Sequence, residues 1–445
     1  MPEPQHAADY NIIKFEVHSH VQEAPVNIAM HVSEIEIYEN IELPYLTGTF
    51  NMKDDLDIYN GISWNGTEII DITFESPENI GNYITKRFTP VEVVDTAKAA
   101  ENIEGLEIKI IETNGFHSAM MQINKCYTGT PEQIIKNILK DNLDMDMEEE
   151  DMPSVKAFQE PMKFVVPPMS PFEACEVIRA KMSTDVGLPY FLYATLNTKN
   201  LQLKSLEEML RTPSINPKAP YRFSRAYNQS TVSVASEENI VNVSGYTSMH
   251  KQNSLILMKS GATAGQHSIT DMTSGQTIKY NFDVTDVFND MTQAGLIQKD
   301  TLPVHHSLYK FNGKLMNEYN TKNMHKYVMN DTYVGINNIH QENSAAAFRL
   351  EACNNALRHM LFKTSMTIRV PGRLYLIGHN ASLGRQIDFI YPSNNTMIEG
   401  TSSVTADEVE DKKRSGVFII YTTRHHFDDQ QHNVDMTCVK LGNRK

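Results

Sequence analysis

Along the first 120 residues apolar and polar side chains alternate with a period of two, the spacing that sends successive side chains to opposite faces of a β-strand. Ile13, Phe15 and Val17 interleave with Lys14, Glu16, His18 and His20. Ile35 and Ile37 interleave with Glu34 and Glu36; Ile70, Ile72 and Phe74 with Asp71, Thr73 and Glu75; Leu106, Ile108 and Ile110 with Glu107 and Lys109. Each run predicts a strand with one buried and one wet face. The Asn60-Gly61, Asn65-Gly66 and Asn114-Gly115 pairs offer the positive φ that tight hairpins need, so this region predicts an antiparallel barrel or sandwich.

From about 125 to 210 the period changes. Thr130-Pro131-Glu132-Gln133 and Ser170-Pro171-Phe172-Glu173 each place a hydroxyl at the N-cap, proline at N1 and Gln or Glu at N3. Behind them run the stripes Ile134, Ile135, Ile138, Leu139 and Ala174, Val177, Ile178, Met182, which predict two short amphipathic helices. The acidic run Asp141 to Asp151 reads as a solvated loop, and Tyr190 to Tyr193 with Leu201 to Leu203 as a strand pair.

Strand signals return at Val232 and Val234, followed to about 342 by a polar stretch rich in Asn, Met and Thr with mixed strand and loop character. A helix is predicted over about 344 to 362, carrying Leu350, Cys353, Leu357 and Leu361 on one face. The last 80 residues alternate again: Met366, Ile368 and Val370, then Leu374 to Ile377, Ile387 to Ile390, Val417 to Thr423 and Val434 to Leu441. They predict a second β domain.

Charge narrows the function classes. With 40 Lys and Arg against 55 Asp and Glu in 445 residues the net charge is -15, which disfavours a protein that grips DNA or RNA over a wide area. A conduit past which DNA slides is compatible with it. The opening MPEPQHAADY has neither a basic nor an apolar region, so no secretory signal is expected, and no apolar run is long enough to predict a membrane span. Cys126, Cys175, Cys353 and Cys438 are widely spaced, without a CxxC pair, which fits a reducing compartment rather than a cysteine-ligated zinc.

Candidate chemistry is sparse. Gly261 to Gly265 lacks the lysine of a phosphate loop, and no nucleophile sits in a recognisable elbow. The richest cluster is Arg424-His425-His426-Phe427-Asp428-Asp429 with His432, where imidazoles and carboxylates could hold a metal and activate water. Adjacent residues of a strand face opposite ways, however, so His425 and His426 are not expected to share one ion; His305 and His306 meet the same objection. His18 and His20 share a face, which with Lys14 and Glu16 reads as a solvated or interfacial surface. The weak basic cluster Lys412-Lys413-Arg414 is balanced by Glu408, Glu410 and Asp411.

Several segments, taken in order, resemble one family. They are Ile35 to Thr49 with Tyr38, Pro44 and Gly48; Asp54-Asp55, Gly66 and Glu68 to Phe74; Pro168-Met-Ser-Pro171-Phe-Glu-Ala; Gly187-Leu-Pro189-Tyr-Phe-Leu-Tyr193; and Leu201 to Leu206. Tyr246 with Asn253-Ser-Leu255 and Gly265, Val370-Pro371-Gly372, Gly378, Ile387 to Pro392, Gly416 to Tyr421 and Arg424 to Phe427 follow. In this order the chain resembles the central baseplate hub proteins of T-even-type contractile-tailed phages and, more distantly, the hub portions of related tail and secretion spikes. Residues 251 to 342 match that pattern poorly, and Asp141 to Asp151 looks like a local elaboration.

The resemblance implies an α+β, predominantly β protein: two tail-tube-like antiparallel β-barrel domains plus two smaller α/β domains, one of them inserted. The implied boundaries are 1–122 for the first barrel, 123–220 for a domain with two short helices, 221–250 and 366–445 for the second barrel, and 251–365 for the insert. It implies a homotrimer whose paired barrels form a pseudo-six-fold ring joining a three-fold spike to a six-fold tail tube. The implied partners are the spike trimer, with or without a lysozyme domain, the tube and its initiator, the tape measure and baseplate wedge proteins, with DNA only in transit. The implied location is the virion baseplate, reached from the host cytoplasm.

No enzymatic activity, cofactor or metal is implied. Pro44, Gly48, Gly66, Pro168, Pro171, Pro189, Pro371, Gly372 and Arg424 are the motif positions, of structural or interface character, and Glu34, Glu36 and Glu107 are candidate acids for the channel. Two other readings stay open. One is a metal-dependent hydrolase using His425, His426, Asp428 and His432; the other is a carbohydrate- or receptor-binding tail module with Tyr59 and Trp64 as stacking aromatics.

Overall fold

In a computed structural model the described residues are 10–75, 83–100, 103–147, 162–216, 220–223, 242–243, 245–249, 254–272, 275–298, 310–315, 318–319, 321–328, 345–361, 364–372, 383–391, 411, 414–428 and 431–441. The expected strands at Val232–Val234 and Leu374–Ile377, together with Gly378, His305–His306, Lys412–Lys413 and the end of the acidic run, lie outside them.

The architecture is predominantly β. In the N-terminal module the antiparallel order is Val26–Asn27, Asn11–His18, Ile69–Glu75, Tyr83–Ala100, Ile103–Glu112, Thr47–Asp54, Val32–Asn40. The C-terminal sheet runs Gly245–Met249, Ser365–Pro371, Gln431–Val439, Gly416–Asp428, Gln386–Ile390, Tyr221–Phe223, Asn242–Val243, so residues 221–249 and 365–439 share it, with 254–361 between. Among the described residues neither sheet closes into a barrel. The outer edge of Val32–Asn40, which closure of the first would need, instead pairs antiparallel with Thr422–Asp428. One continuous sheet therefore crosses both modules.

Two hydrophobic cores result. One draws on Phe15 through Leu203 and includes the helices Pro131–Leu143 and Pro171–Lys181; the other draws on Leu188 through Leu441 and includes Ala345–Leu361. Tyr190–Tyr193 serves both, because its period of two sends Tyr190 and Leu192 to the first and Phe191 and Tyr193 to the second. The seam is reciprocal as well: Ile41 packs into the second core and Phe427 into the first.

Both capping boxes form, with Thr130 and Ser170 accepting from the N3 backbone and Gln133 and Glu173 returning the bond. Ile134, Ile135, Ile138 and Leu139 are buried as expected, whereas Val177 is exposed at the margin of its stripe. Tyr190–Tyr193 pairs with Gln202–Ser205.

Other expectations are corrected. A bulge between Ile12 and Lys14 turns Ile13 to solvent and lets Ile12 pack on the core in its place. Only Gly66 of the three Asn-Gly glycines has positive φ. Asn60-Gly61 lies in the short helix Ile58–Ile62, whose first N–H groups are held by the Asp54 carboxylate. Asn114-Gly115 lies in Thr113–Met120, where a Cβ on Gly115 would stand 2.8 Å from the Tyr45 ring.

The acidic run is less loop-like than expected: the helix continues to Leu143, and Met145 and Met147 are buried beyond it, Met147 bridging to Leu201. The polar middle section contains the helices Ser254–Ser260 and Val284–Gln293 and the sheet Thr277–Asp283, Ala264–Asp271, Lys322–Val328. Its capping signal at Asp283, whose carboxylate accepts from Thr285 N–H, is a single residue without a matching N3 partner.

Candidate functional site

The seam between the modules brings the histidine cluster and two of the candidate acids together. Val32–Asn40 turns Ile35, Ile37 and Glu39 inward and Glu34, Glu36 and Tyr38 outward. Gly416–Asp428 turns Thr423, His425 and Phe427 inward and Arg424, His426 and Asp428 outward. The antiparallel register sets Arg424 opposite Tyr38, His426 opposite Glu36 and Asp428 opposite Glu34.

On the outer face the charges form a ladder across strands. Arg369 holds Asp435 with two bonds of 2.6 and 2.7 Å, Arg424 lies 3.7 Å from Asp435 and bonds Glu36, and His426 Nδ1 lies 3.2 Å from Glu34 and 3.5 Å from Glu36. Asn51 closes the row with a 2.9 Å bond to Glu34. Burial works to raise the Glu36 carboxyl, but hydrogen bonds from Arg424 and Tyr38 and the charges of Arg424 and His426 outweigh it and hold the group below its ordinary value. Burial and then the hydrogen bond to Glu36 push the Tyr38 phenol up to about 12. Glu107, opposite Asn51 and Val94, shares this face two strands away.

On the inner face Glu39 Oε2 lies 3.2 Å from His425 Nε2, and His425 Nδ1 lies 3.1 Å from His432 Nε2. Glu39 also accepts from the Leu196 N–H and the Thr423 hydroxyl, so one carboxylate ties three separate stretches of chain together. Burial would raise this carboxyl; His425, Thr423 and Leu196 outweigh it and hold it low. His432 is pushed well below its ordinary value by burial and by the charges of His425 and His426. Along this row His425 Nε2 faces Glu39 and the His432 Nε2 atom faces His425 Nδ1, while the buried His432 Nδ1, beside Gly372, has no hydrogen-bond partner among the described residues. His432 stacks on Phe427 at 4.2 Å, and Phe427 stacks on Phe74 at 4.4 Å.

The four residues of the hydrolase reading therefore do not converge: His425 and His432 lie inside the sheet, His426 and Asp428 outside. Among the described residues the trio whose ligand atoms come within 4.8 Å of one another is Glu34, Glu36 and His426, and Arg424 already occupies Glu36. His18 and His20 are separated too. His18 lies 3.3 Å from Asp71, whereas His20 is beyond the strand end, 3.1 Å from the Asn65 amide. Trp64 packs half-buried on the first core, and Tyr59 is exposed.

The motif positions are mostly steric. A Cβ on Gly48 would stand 2.5 Å from the Glu36 carbonyl, and one on Gly372 2.0 Å from His432 Nδ1. Gly66 turns with φ +86 while Glu68 accepts the Asn65 and Gly66 N–H groups. Pro171 opens a helix three residues after Pro168, Pro189 accepts from Leu206 N–H, Pro44 sits in the bend before Thr47–Asp54, and Pro371 ends its strand opposite Asn433. Sequence reading missed Glu39, Arg369 and Asp435; the alternation of Met366, Ile368 and Val370 already turned Arg369 outward, but only the strand register reveals its partner.

The fold is thus two β modules that share one sheet across a seam, with an insert between the strands of the second. Among solved structures it is similar to the 43 kDa tail protein of prophage MuSo2 from Shewanella oneidensis, with TM-score 0.54 and 9% identity over 96% of this chain and 98% of that one. It also aligns with a tail protein from Neisseria meningitidis MC58, at TM-score 0.49 and 12% identity over 97% of each chain. A third alignment is with the E. coli c3393 protein, a type VI secretion component described as structurally similar to the T4 tail proteins gp27 and gp5, at TM-score 0.39 and 8% identity over 96% and 78%. No family model and no curated protein matches the sequence. Among the described residues no helix is long and apolar enough to cross a membrane.

Proposed function

We propose that the chain is the structural hub of a contractile phage tail, a homotrimer whose two β modules per copy form a pseudo-six-fold ring between a three-fold spike and the six-fold tail tube. The observation that carries this is the unbroken order of eight strands across the seam, from Gly245–Met249 through Gly416–Asp428 and Val32–Asn40 to Tyr83–Ala100. Each module contributes four. Both ends are open among the described residues: Gly245–Met249 pairs on one side, and Tyr83–Ala100 pairs with Ile69–Glu75 only as far as Phe88. A head-to-tail contact between such edges is heterologous and closes under three-fold rotation.

Three copies would bring 24 strands together. At a spacing of about 4.8 Å they give a circumference of about 115 Å before tilt, a backbone diameter of about 37 Å, which admits a DNA duplex. The outer face would line this bore. It carries Glu34, Glu36, Glu92, Glu107, Asp428 and Asp435 against Lys53, Arg87, Lys109, Arg369 and Arg424, six acids to five bases. Because most of these acids are already paired, expelled DNA meets a mildly acidic surface with few free cations to hold it.

The fold likeness to the MuSo2 tail protein supports a structural rather than a catalytic role. Sedimentation equilibrium of the purified chain, alone and with a tail-spike trimer, tests the assembly. A trimer in either condition is expected; a clean monomer in both defeats the proposal.

A further inference from the structure

The insert differs electrostatically from the rest of the chain. Residues 251–365 carry 11 Lys and Arg against 9 Asp and Glu, a net of +2, whereas the remaining residues carry 29 against 46, a net of -17. Within the insert Asp283, Asp286 and Asp290 gather on and beside the helix Val284–Gln293. The cations gather elsewhere: Lys310 and Lys314 on an exposed hairpin, Lys279 on an exposed strand face, and Lys322 and Lys326 on the exposed strand Lys322–Val328.

Most cations on the large sheet sit on carboxylates, as Lys14, Arg87, Lys109, Arg369 and Arg424 do. Among the described residues Lys279, Lys310 and Lys314 do not, and Lys322 reaches the Ser260 carbonyl at 3.4 Å. The acid nearest in sequence, Glu318, accepts from Leu315 N–H. Lys322 also helps lower His359 on the neighbouring helix, after burial, which marks the spot as positive.

The same strand is an edge. Lys322–Val328 pairs parallel with Ala264–Asp271 on one side and with no strand among the described residues on the other. Lysines on an edge strand ordinarily discourage pairing with a like copy, which would bring the same charges opposite each other. That repulsion does not apply to an acidic strand, so the feature that excludes self-association selects a partner of opposite sign. Lys322 and Lys326 are four residues apart and share a face, with Met324 between them.

We propose that the Lys322–Val328 edge of the insert docks an extended acidic segment of another protein by strand addition, its carboxylates four residues apart opposite Lys322 and Lys326. The edge supplies backbone hydrogen bonds and the lysines supply selectivity. A nucleic acid would use the cations but leave the backbone edge without partners, so the strand geometry favours a polypeptide. The proposal holds whether or not the chain forms a ring.

Fluorescence anisotropy of the full chain tests it, with a labelled peptide of alternating Thr and Val carrying Glu at its third and seventh positions. Saturable binding is expected that weakens at least tenfold in the Lys322→Glu, Lys326→Glu double variant. The same peptide N-methylated at alternate residues keeps its charge, leaves the protein unaltered and is expected to bind at least tenfold more weakly. Equal binding of the methylated peptide, binding undiminished in the double variant, displacement by a single-stranded oligonucleotide, or no saturable binding would each overturn the proposal.

Discussion

Gly372 and His432 are in direct steric register: the Gly372 N–H donates to the His432 carbonyl at 2.7 Å, and a Cβ at Gly372 would fall 2.0 Å from Nδ1 of the same residue. His432 is fully buried against Phe427 and cannot yield by swinging to solvent. Gly372→Ala is therefore expected to destabilise the fold by about 1–3 kcal/mol through overpacking, read as a lower urea midpoint. Gly61→Ala is the control. Nothing lies within 4 Å of its Cβ position, and its helical setting makes the change neutral or slightly stabilising.

Glu39→Ala leaves the Leu196 N–H, the Thr423 hydroxyl and His425 facing a void inside the seam. A loss of about 3 kcal/mol is expected, from buried donors stripped of their acceptor. Glu34→Ala on the outer face, where the carboxylate is partly solvated, is expected to cost about 1 kcal/mol or less. Equal effects for the two would contradict the inner network.

His432 and Glu39 also set a pH dependence. Unfolded histidine takes up a proton near about pH 6.5, while folded His432, held well lower by burial and then by the charges of His425 and His426, does not. The unfolded state then binds more protons, so stability falls as pH drops below about 6.5. Glu39, whose folded value is depressed, contributes stability above its unfolded value of about 4.3 that is lost as pH falls through the folded one. Urea titrations of the parent and of His432→Gln between about pH 6.5 and 5 are expected to differ in slope by up to one proton, about 1.4 kcal/mol per pH unit. Superimposable slopes would place His432 outside the linkage.

Glu34, Glu36 and His426 have the spacing of a metal trio, yet Arg424 already neutralises Glu36. Elemental analysis of the purified protein is expected to find no stoichiometric divalent metal. Zinc or manganese that survives purification and disappears in His426→Ala would reverse that reading.

The legible parts of the sequence were those fixed by local chemistry. Hydroxyl, proline and N3 acceptor at Thr130–Gln133 and Ser170–Glu173 determined two helices, because a capping box is completed within four residues. Period-two alternation located the seam strands and correctly placed His425 and His426 on opposite faces. What escaped depended on partners that the pattern does not show. The Asn-Gly pair at Asn60 lies in a helix whose first N–H groups are held by Asp54, and Gly115 beside Asn114 packs against Tyr45 from far back in the chain. Glu39 read as one more polar residue of an alternating strand; its burial depends on His425, nearly four hundred residues away. The two cores likewise cross the expected domain boundaries, since a strand such as Tyr190–Tyr193 can feed both at once.

Cryo-electron microscopy of the purified full chain, with a spike trimer added if the chain alone is monomeric, tests the central claim most directly. A three-fold ring is expected, with six similar β lobes around an open bore whose backbone diameter is about 37 Å or somewhat more with strand tilt. A compact particle without a pore, alone and with the spike trimer, would contradict the account.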